Sequence, residues 1–163
     1  DEIVEKKIVS GIAYSRDEAK ITLRRVADRP GIAAAVFGPL ADANINVDMI
    51  VQNISQSDQS TDLTFTVTRS HLDRAVAVLE KARPEIDYEK LKADEDVTKV
   101  SVIGVGMRSH AGVAQRMFAT LAERGINIQV ISTSEIKVSV LIEEEYTELA
   151  LRALHTAYGL DDG

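Results

Sequence analysis

The feature that most constrains this chain is that it repeats itself. Setting Gly31 on Gly112 puts Phe37 on Phe118, Leu40 on Leu121, Ala41 on Ala122, Ile45 on Ile126, Asn46 on Asn127 and Ile50 on Ile131. Further on the spacing shortens. Leu63, Phe65 and Val67 then fall on Ile136, Val138 and Val140, and Ala75, Leu79 and Ala82 on Ala150, Leu154 and Ala157. A duplication of this kind predicts two copies of one supersecondary unit. A chain of 163 residues with 45% hydrophobic content is enough for two small cores.

In chain order, Ile8–Tyr14 is a short strand containing Gly11, and Ile21–Val26 is the first strand of repeat one. Val36, Phe37 and Leu40 recur at helical spacing after Gly31, and Gly38-Pro39 predicts a kink or a broken hydrogen-bond ladder. Ile45–Ile54 alternates Ile45, Val47, Met49 and Val51 against Asn46, Asp48, Ile50 and Gln52. Leu63, Phe65 and Val67 alternate with polar residues as a half-buried strand does. A helix over Ser70–Ala82, capped by Ser70, and a weak edge strand over Ile86–Leu91 complete the repeat. Repeat two reads as strand Val97–Val105, helix Gly112–Arg124, strands Ile128–Glu135 and Lys137–Ile142, and helix Thr147–Ala157. Repeat one is therefore βαββαβ, whereas repeat two is βαββα and one strand short. The N-terminal strand is the replacement, which makes repeat one an insertion in repeat two. The expected units are 16–96 and 97–163, the second completed by strand 7–14. The class is α+β: two ferredoxin-like units, each an antiparallel sheet with two helices on one face.

Asp28-Arg29-Pro30-Gly31 carries the clearest candidate chemistry. Asp28 is a favoured N-cap type, and Pro30 suits the first helical position. Gly31 lets the backbone approach a ligand, and unpaired N–H groups at a helix start attract a carboxylate. Asp28 and Asp48 offer anions for an ammonium, and Asn46 and Gln52 offer neutral donors and acceptors. A free amino acid has matching groups; a capped helix beside a solvated loop uses the same residues. In the second turn Ser109 stands where the first has Asp28.

Other chemistries find little support. A net charge of −7 and a pI near 5.0 argue against a nucleic-acid partner, whose binding depends on neutralising phosphates. The absence of cysteine removes disulfides and thiolate chemistry. No apolar run reaches the ~18 residues of a membrane span, and no signal peptide is visible, so a cytoplasmic location is expected. No phosphate loop is present, and Gly104-x-Gly106 meets Ser109 where a dinucleotide motif requires glycine. His71, His110 and His155 fall in separate elements without metal-ligand spacing. His71 and His155 read as solvent-facing helix residues, and His110 as a pocket edge. Glu143-Glu144-Glu145 reads as a solvated loop and first helical turn. Arg108 is the one candidate for an acylphosphatase-type anion cradle. No catalytic or metal-binding residue is expected.

The strand–turn–Gly–helix pattern followed by an Ile-Asn-Ile/Val step resembles ACT domains, the amino-acid-sensing modules of metabolic enzymes. Four stretches, Asn46–Ser55, Thr61–Val67, Lys99–Met107 and Ile131–Lys137, resemble the tandem-ACT regulatory portion of bacterial aspartate kinase. The resemblance spans about Ile8 to Leu160. It implies feedback inhibition of the aspartate pathway by threonine, and in many members lysine, with ATP and magnesium belonging to the kinase catalytic domain and no cofactor in this chain. It also implies a homodimer through ACT units and a partner in that catalytic domain or a large subunit. Carried over by position, it implies one effector pocket of Asp28, Gly31, Ile32, Ala33, Gln52, Asn127 and Ile128. The related pocket takes Asn46, Val47, Asp48, Val113, Ala114, Ser134 and Glu135, with Ala114 standing where relatives can carry a hydroxyl. The alternative is a ligand-free oligomerisation module that holds kinase chains together.

Overall fold

A computed structural model describes residues 8–54, 59–107 and 110–160. Its elements are β1 (Val9–Ser15), β2 (Glu18–Ala27), α1 (Ile32–Asp42), β3 (Val47–Ile54), β4 (Ser60–Thr68), α2 (Leu72–Lys81), the single turn α3 (Arg83–Ile86) and β5 (Lys90–Asp94). Then follow β6 (Val97–Gly104), α4 (Ala111–Glu123), β7 (Val130–Thr133), β8 (Lys137–Glu143) and α5 (Thr147–Ala157). The strands form two antiparallel sheets in the orders β3-β4-β2-β5 and β1-β6-β8-β7. One unit is Asp17–Glu95; the other joins the described residues up to Arg16 to those from Asp96 onward. In the second, β1 pairs with β6, Tyr14 opposite Val100, at the place β5 holds beside β2 in the first. Two ferredoxin-like α+β units, one inserted in the other, are thus the observed architecture.

Each unit has its own core. Ile21, Leu23, Phe65 and Val67 meet Val36, Leu40, Ala75 and Leu79 in the first, and Val100, Val102, Val138 and Val140 meet Val113, Met117, Leu121 and Leu154 in the second. Alternation puts the other strand residues on the opposite sheet face, where both sheets carry the same device. Thr22 and Thr64 pair through their hydroxyls at 3.2 Å, and Ser101 and Ser139 at 2.6 Å.

Both long repeat helices end alike. The N–H of Asn44 bonds the carbonyl of Ala41 and that of Ile45 the carbonyl of Leu40; Gly125 and Ile126 repeat this on Ala122 and Leu121. This is a Schellman ending, which needs a left-handed residue after the cap. Asn44 at φ 59° and Gly125 at φ 69° supply it.

Several expectations require correction. The 3-10 turns Arg69–His71 and Glu144–Tyr146, which directly follow β4 and β8, set Leu63 on Val138, so the strand match is shifted by two. A slip of two leaves every side chain on its own face, and alternation cannot detect it. The expectation at Gly38-Pro39 stands: Pro39 lies within α1, which continues to Asp42, and without an N–H it leaves the ladder locally broken. Ser70 does not cap α2: a 3-10 turn over Arg69–His71 precedes it, and His71 is the N-cap without a side-chain bond. Residues 83–86 form a helical turn, and the edge strand begins only at Lys90. A bulge between Val47 and Ile50 breaks the alternation expected of β3, leaving Met49 its single fully buried residue.

Candidate functional site

The first-unit turn owes its shape to the strand feeding it. In β2, Leu23 faces Leu63 but Val26 faces Thr61, so Arg24 and Arg25 together oppose Asp62. This is a β-bulge, and Arg25 takes the left-handed φ of 55° that such a bulge places on one residue. The Arg25 N–H, left without a ladder partner, donates to Asp62 Oδ1 at 2.9 Å. Beyond it the Asp28 N–H bonds the Gln59 carbonyl at 3.0 Å.

α1 begins differently from expectation. Gly31, at φ 85°, is its N-cap, and no side chain caps it; Asp28 lies three residues earlier and Pro30 just before the cap. The Ile32 N–H bonds the Arg29 carbonyl, and the Ala35 N–H bonds that of Gly31. Neither Ala33 nor Ala34 N–H has a backbone acceptor among the described residues. Asp28, Gly31 and Ala33 are exposed and Ile32 is buried. The turn therefore carries an exposed carboxylate three residues before a helix start that no side chain caps, groups of the two kinds a zwitterion needs.

The remaining predicted residues divide by location. Gln52 lies on β3 near the end of the sheet that carries the turn, but β4 runs between β3 and β2, and Gln52 is level with Leu63. Asn46, Val47 and Asp48 sit at the start of β3. Asn46 and Val47 line a hollow of about 500 Å³ with Phe37, Ala41, Asn44, Ile45 and Ile50. Asp28 and Asp48 stand at opposite ends of the 11-residue α1, a rise of roughly 16 Å. They do not share one ammonium.

In the second unit Asn127 and Ile128 follow the Schellman turn at the positions of Asn46 and Val47. Val113 is fully buried, and its carbonyl accepts from the Tyr158 hydroxyl. Ala114, the next residue of α4, is half-buried. Ser134 Oγ accepts from the N–H of Lys137 at 3.2 Å in the β7–β8 turn, while Glu135 is exposed and its carbonyl accepts the Met107 N–H. The two glycines that reveal the duplication differ in role, since Gly31 caps α1 at positive φ and Gly112 lies inside α4; among the described residues before α4 the left-handed one is Gly106, at φ 64°. His110 is the N-cap of α4. His71 is not on an open helix face; its Nδ1 is buried without a hydrogen-bond partner among the described residues. His155 Nδ1 contacts the Leu151 carbonyl at 2.7 Å. Arg108, Ser109 and most of the loop after Ile54 lie outside the described residues. No described helix is long and apolar enough to cross a membrane, and among the described residues no three His, Asp or Glu side chains cluster as a metal site would need.

The bulge is the feature sequence reasoning missed. Its signal was available: Ile21 and Leu23 keep a period of two, and Val26 breaks it while still facing the core.

The duplicated βαββαβ unit defines a class, and comparison names it. The ACT domain model matches residues 24–82 and again 100–158, so the chain belongs to the ACT-domain family. An aspartate kinase of Pseudomonas fluorescens is 58% identical over 161 residues, which is 99% of this chain and 39% of that protein. The crystal structure of aspartokinase alpha and beta subunits superposes with a TM-score of 0.87 at 51% identity, covering 93% of this chain and 99% of the other. The ligand-free regulatory subunit of aspartate kinase from Thermus thermophilus gives 0.87 at 42%, covering 92% and 98%. The chain is the regulatory part of an aspartate kinase, and it spans 39% of the length of the curated relatives it matches.

Proposed function

We propose that this regulatory part senses threonine and mediates feedback inhibition of the kinase it serves in the cytoplasm. The observation that carries the reading is the first-unit turn, where an exposed carboxylate stands three residues before a helix start that no side chain caps. Asp28 takes the ligand ammonium, and the N–H groups beyond Gly31 take its carboxylate. Gln52 is proposed to read the ligand hydroxyl, and Asn127 and Ile128 are proposed as effector contacts of the second unit. The hollow beside Asn46 and Val47, with Asp48, is proposed for a second effector, lysine being the candidate, and Val113, Ala114, Ser134 and Glu135 are proposed as effector contacts of the second unit. ATP and magnesium are assigned to the catalytic domain.

The effector acts by binding one arrangement of the regulatory assembly more tightly than another, and the kinase follows that population shift. The proposed assembly is a dimer of this chain. Apolar side chains on the edge strands support it: Ile50 and Ile54 on β3 are 53% and 58% exposed, and Ile131 on β7 is 47% exposed. The same edges also favour the second reading, an oligomerisation module without a ligand.

Calorimetric titration with threonine, lysine, valine and alanine separates the two. Losing a hydrogen bond to a charged group costs about 1.5–3 kcal/mol, so Asp28→Ala is expected to weaken threonine binding about tenfold or more. Gln52→Ala is expected to narrow the gap between threonine and valine. Parent-like binding by Asp28→Ala moves the pocket elsewhere, and absence of heat with all four amino acids leaves the oligomerisation reading.

A further inference from the structure

We propose that Asp62 is a positioning residue for the effector turn, its carboxylate clamping the β2 bulge that aims Asp28–Ala33. The inference rests on the reading of that turn as the threonine site. Arg25 occupies a backbone conformation that L side chains disfavour. Asp62 Oδ1 supplies the acceptor its N–H would otherwise lack, at 2.9 Å, and Asp62 Oδ2 lies 4.0 Å from Arg24 Nε. Arg25 Nε is 3.4 Å from Glu89 Oε2, which ties the bulge to the residue preceding β5.

The extra residue sets the phase of everything that follows. It returns Val26 to the core, where it is fully buried. Only Val26 and Ala27 separate Arg25 from Asp28. If the bulge relaxes into a regular ladder, Val26 turns to the other face and the strand end carrying Asp28 turns with it.

The second unit is the internal control. β6 and β8 pair without a shift from Val97 opposite Glu143 to Ile103 opposite Lys137. Counted back from the 3-10 turns that follow β4 and β8, Lys137 stands where Asp62 does, and across the ladder Gly104 stands where Arg25 does. The chain leaves β6 through Gly106 at φ 64°, and its helix start at His110 lacks the Asp28 carboxylate. Among the described residues the clamp occurs in the first unit and not in the second, whose stretch 104–113 contains no Asp or Glu.

The test compares the 163-residue parent with Asp62→Ala, Asp62→Asn and Arg25→Gly/Asp62→Ala. Threonine affinity is read by calorimetry and exchange of the backbone amides of 26–33 by mass spectrometry. Asp62→Ala is expected to lose about tenfold in affinity and to exchange faster over this segment. Asp62→Asn keeps an oxygen at the Oδ1 position and is expected to match the parent in both. Adding Arg25→Gly to Asp62→Ala is expected to restore both, because glycine takes the left-handed conformation unaided. Parent-like exchange in Asp62→Ala overturns the proposal, as does failure of Arg25→Gly to restore it or an Asp62→Asn protein that behaves like Asp62→Ala. Should Asp62→Ala not fold, the double variant decides: folded with parent-like exchange it supports the clamp, and otherwise the clamp is rejected. A parent that gives no heat with threonine rejects the sensor reading alone, since the exchange series still judges the clamp.

Discussion

Replacing Ser139 by alanine removes half of a hydroxyl pair enclosed on the second sheet. Ser101 and Ser139 are 5% and 2% exposed, with their oxygens 2.6 Å apart. The substitution strands the Ser101 hydroxyl away from solvent, and a buried polar group without its partner costs about 1–3 kcal/mol. Removing both hydroxyls takes away the desolvated groups as well as their bond, so Ser101→Ala/Ser139→Ala is expected within about 1 kcal/mol of the parent. The cycle should therefore show a coupling of about 1–3 kcal/mol, in the range for residues in contact. In a domain of 60–100 residues each 1 kcal/mol moves the melting temperature by roughly 4–8 °C. Ser139→Ala is expected to melt several degrees low and the double variant to regain most of the loss. The Thr22–Thr64 pair, longer at 3.2 Å and half-buried, should couple more weakly because water can replace a lost partner. Scanning calorimetry of both four-protein cycles measures this. If Ser139→Ala and the double variant melt together, or if the threonine pair couples as strongly, the argument from enclosure is wrong.

Three further expectations follow from the backbone and from one tyrosine. A Cβ at Gly104 would lie 2.5 Å from the Ile8 carbonyl oxygen and 2.9 Å from Met107 Sδ, so Gly104→Ala should lift the start of β1 from β6 and speed its amide exchange, whereas Gly11→Ala, with open space around it, should not. Gly125 has the same open space but a φ of 69°, so Gly125→Ala should cost about 1 kcal/mol in urea unfolding from backbone strain alone; Asn44→Gly, at the matching position, should stabilise. Tyr88 is buried, and that burial holds its proton above the ordinary tyrosine range while the Arg83 guanidinium over its ring pulls the other way. The unfolded chain then ionises first, so stability is full below about pH 10 and falls as pH rises through the folded value; Tyr88→Phe should flatten that alkaline slope in unfolding measured from pH 8 to 11.

The duplication, the strand missing from repeat two and the placing of Leu63, Phe65 and Val67 inward were all legible, because each rests on periodicity or on a count of strands. Details set by hydrogen bonding were not. Sequence identity at Gly31 and Gly112 suggested one conformation, yet one caps a helix at positive φ and the other lies inside a helix. Ser70 has the chemistry of a cap, but the 3-10 turn places it before His71, which takes that position. Of the candidate site, the Asp28–Ala33 turn was legible as a cluster of adjacent residues. The separation of Asp28 from Asp48 was not, since it depends on α1 running the length of the unit. The Asp62 clamp escaped because a carboxylate alternating with core residues looks the same whether it faces solvent or a backbone N–H.

The insertion of one unit in the other also sets an order of events in folding. Pairing Ser15 with Lys99 in an unfolded chain must close a loop that includes all of β2–β5. Once the first unit has formed, Lys20 already lies beside Asp94, and the loop left to close shrinks to short stretches on either side. With loop entropy growing as 1.5 RT times the logarithm of length, that prior closure is worth about 2 kcal/mol to the β1–β6 ladder. Unit one can thus form from a continuous stretch of chain, whereas unit two is completed most readily on a scaffold that unit one has built. A lesion in the core around Leu23 and Phe65 would then slow the maturation of a sheet that contains neither residue.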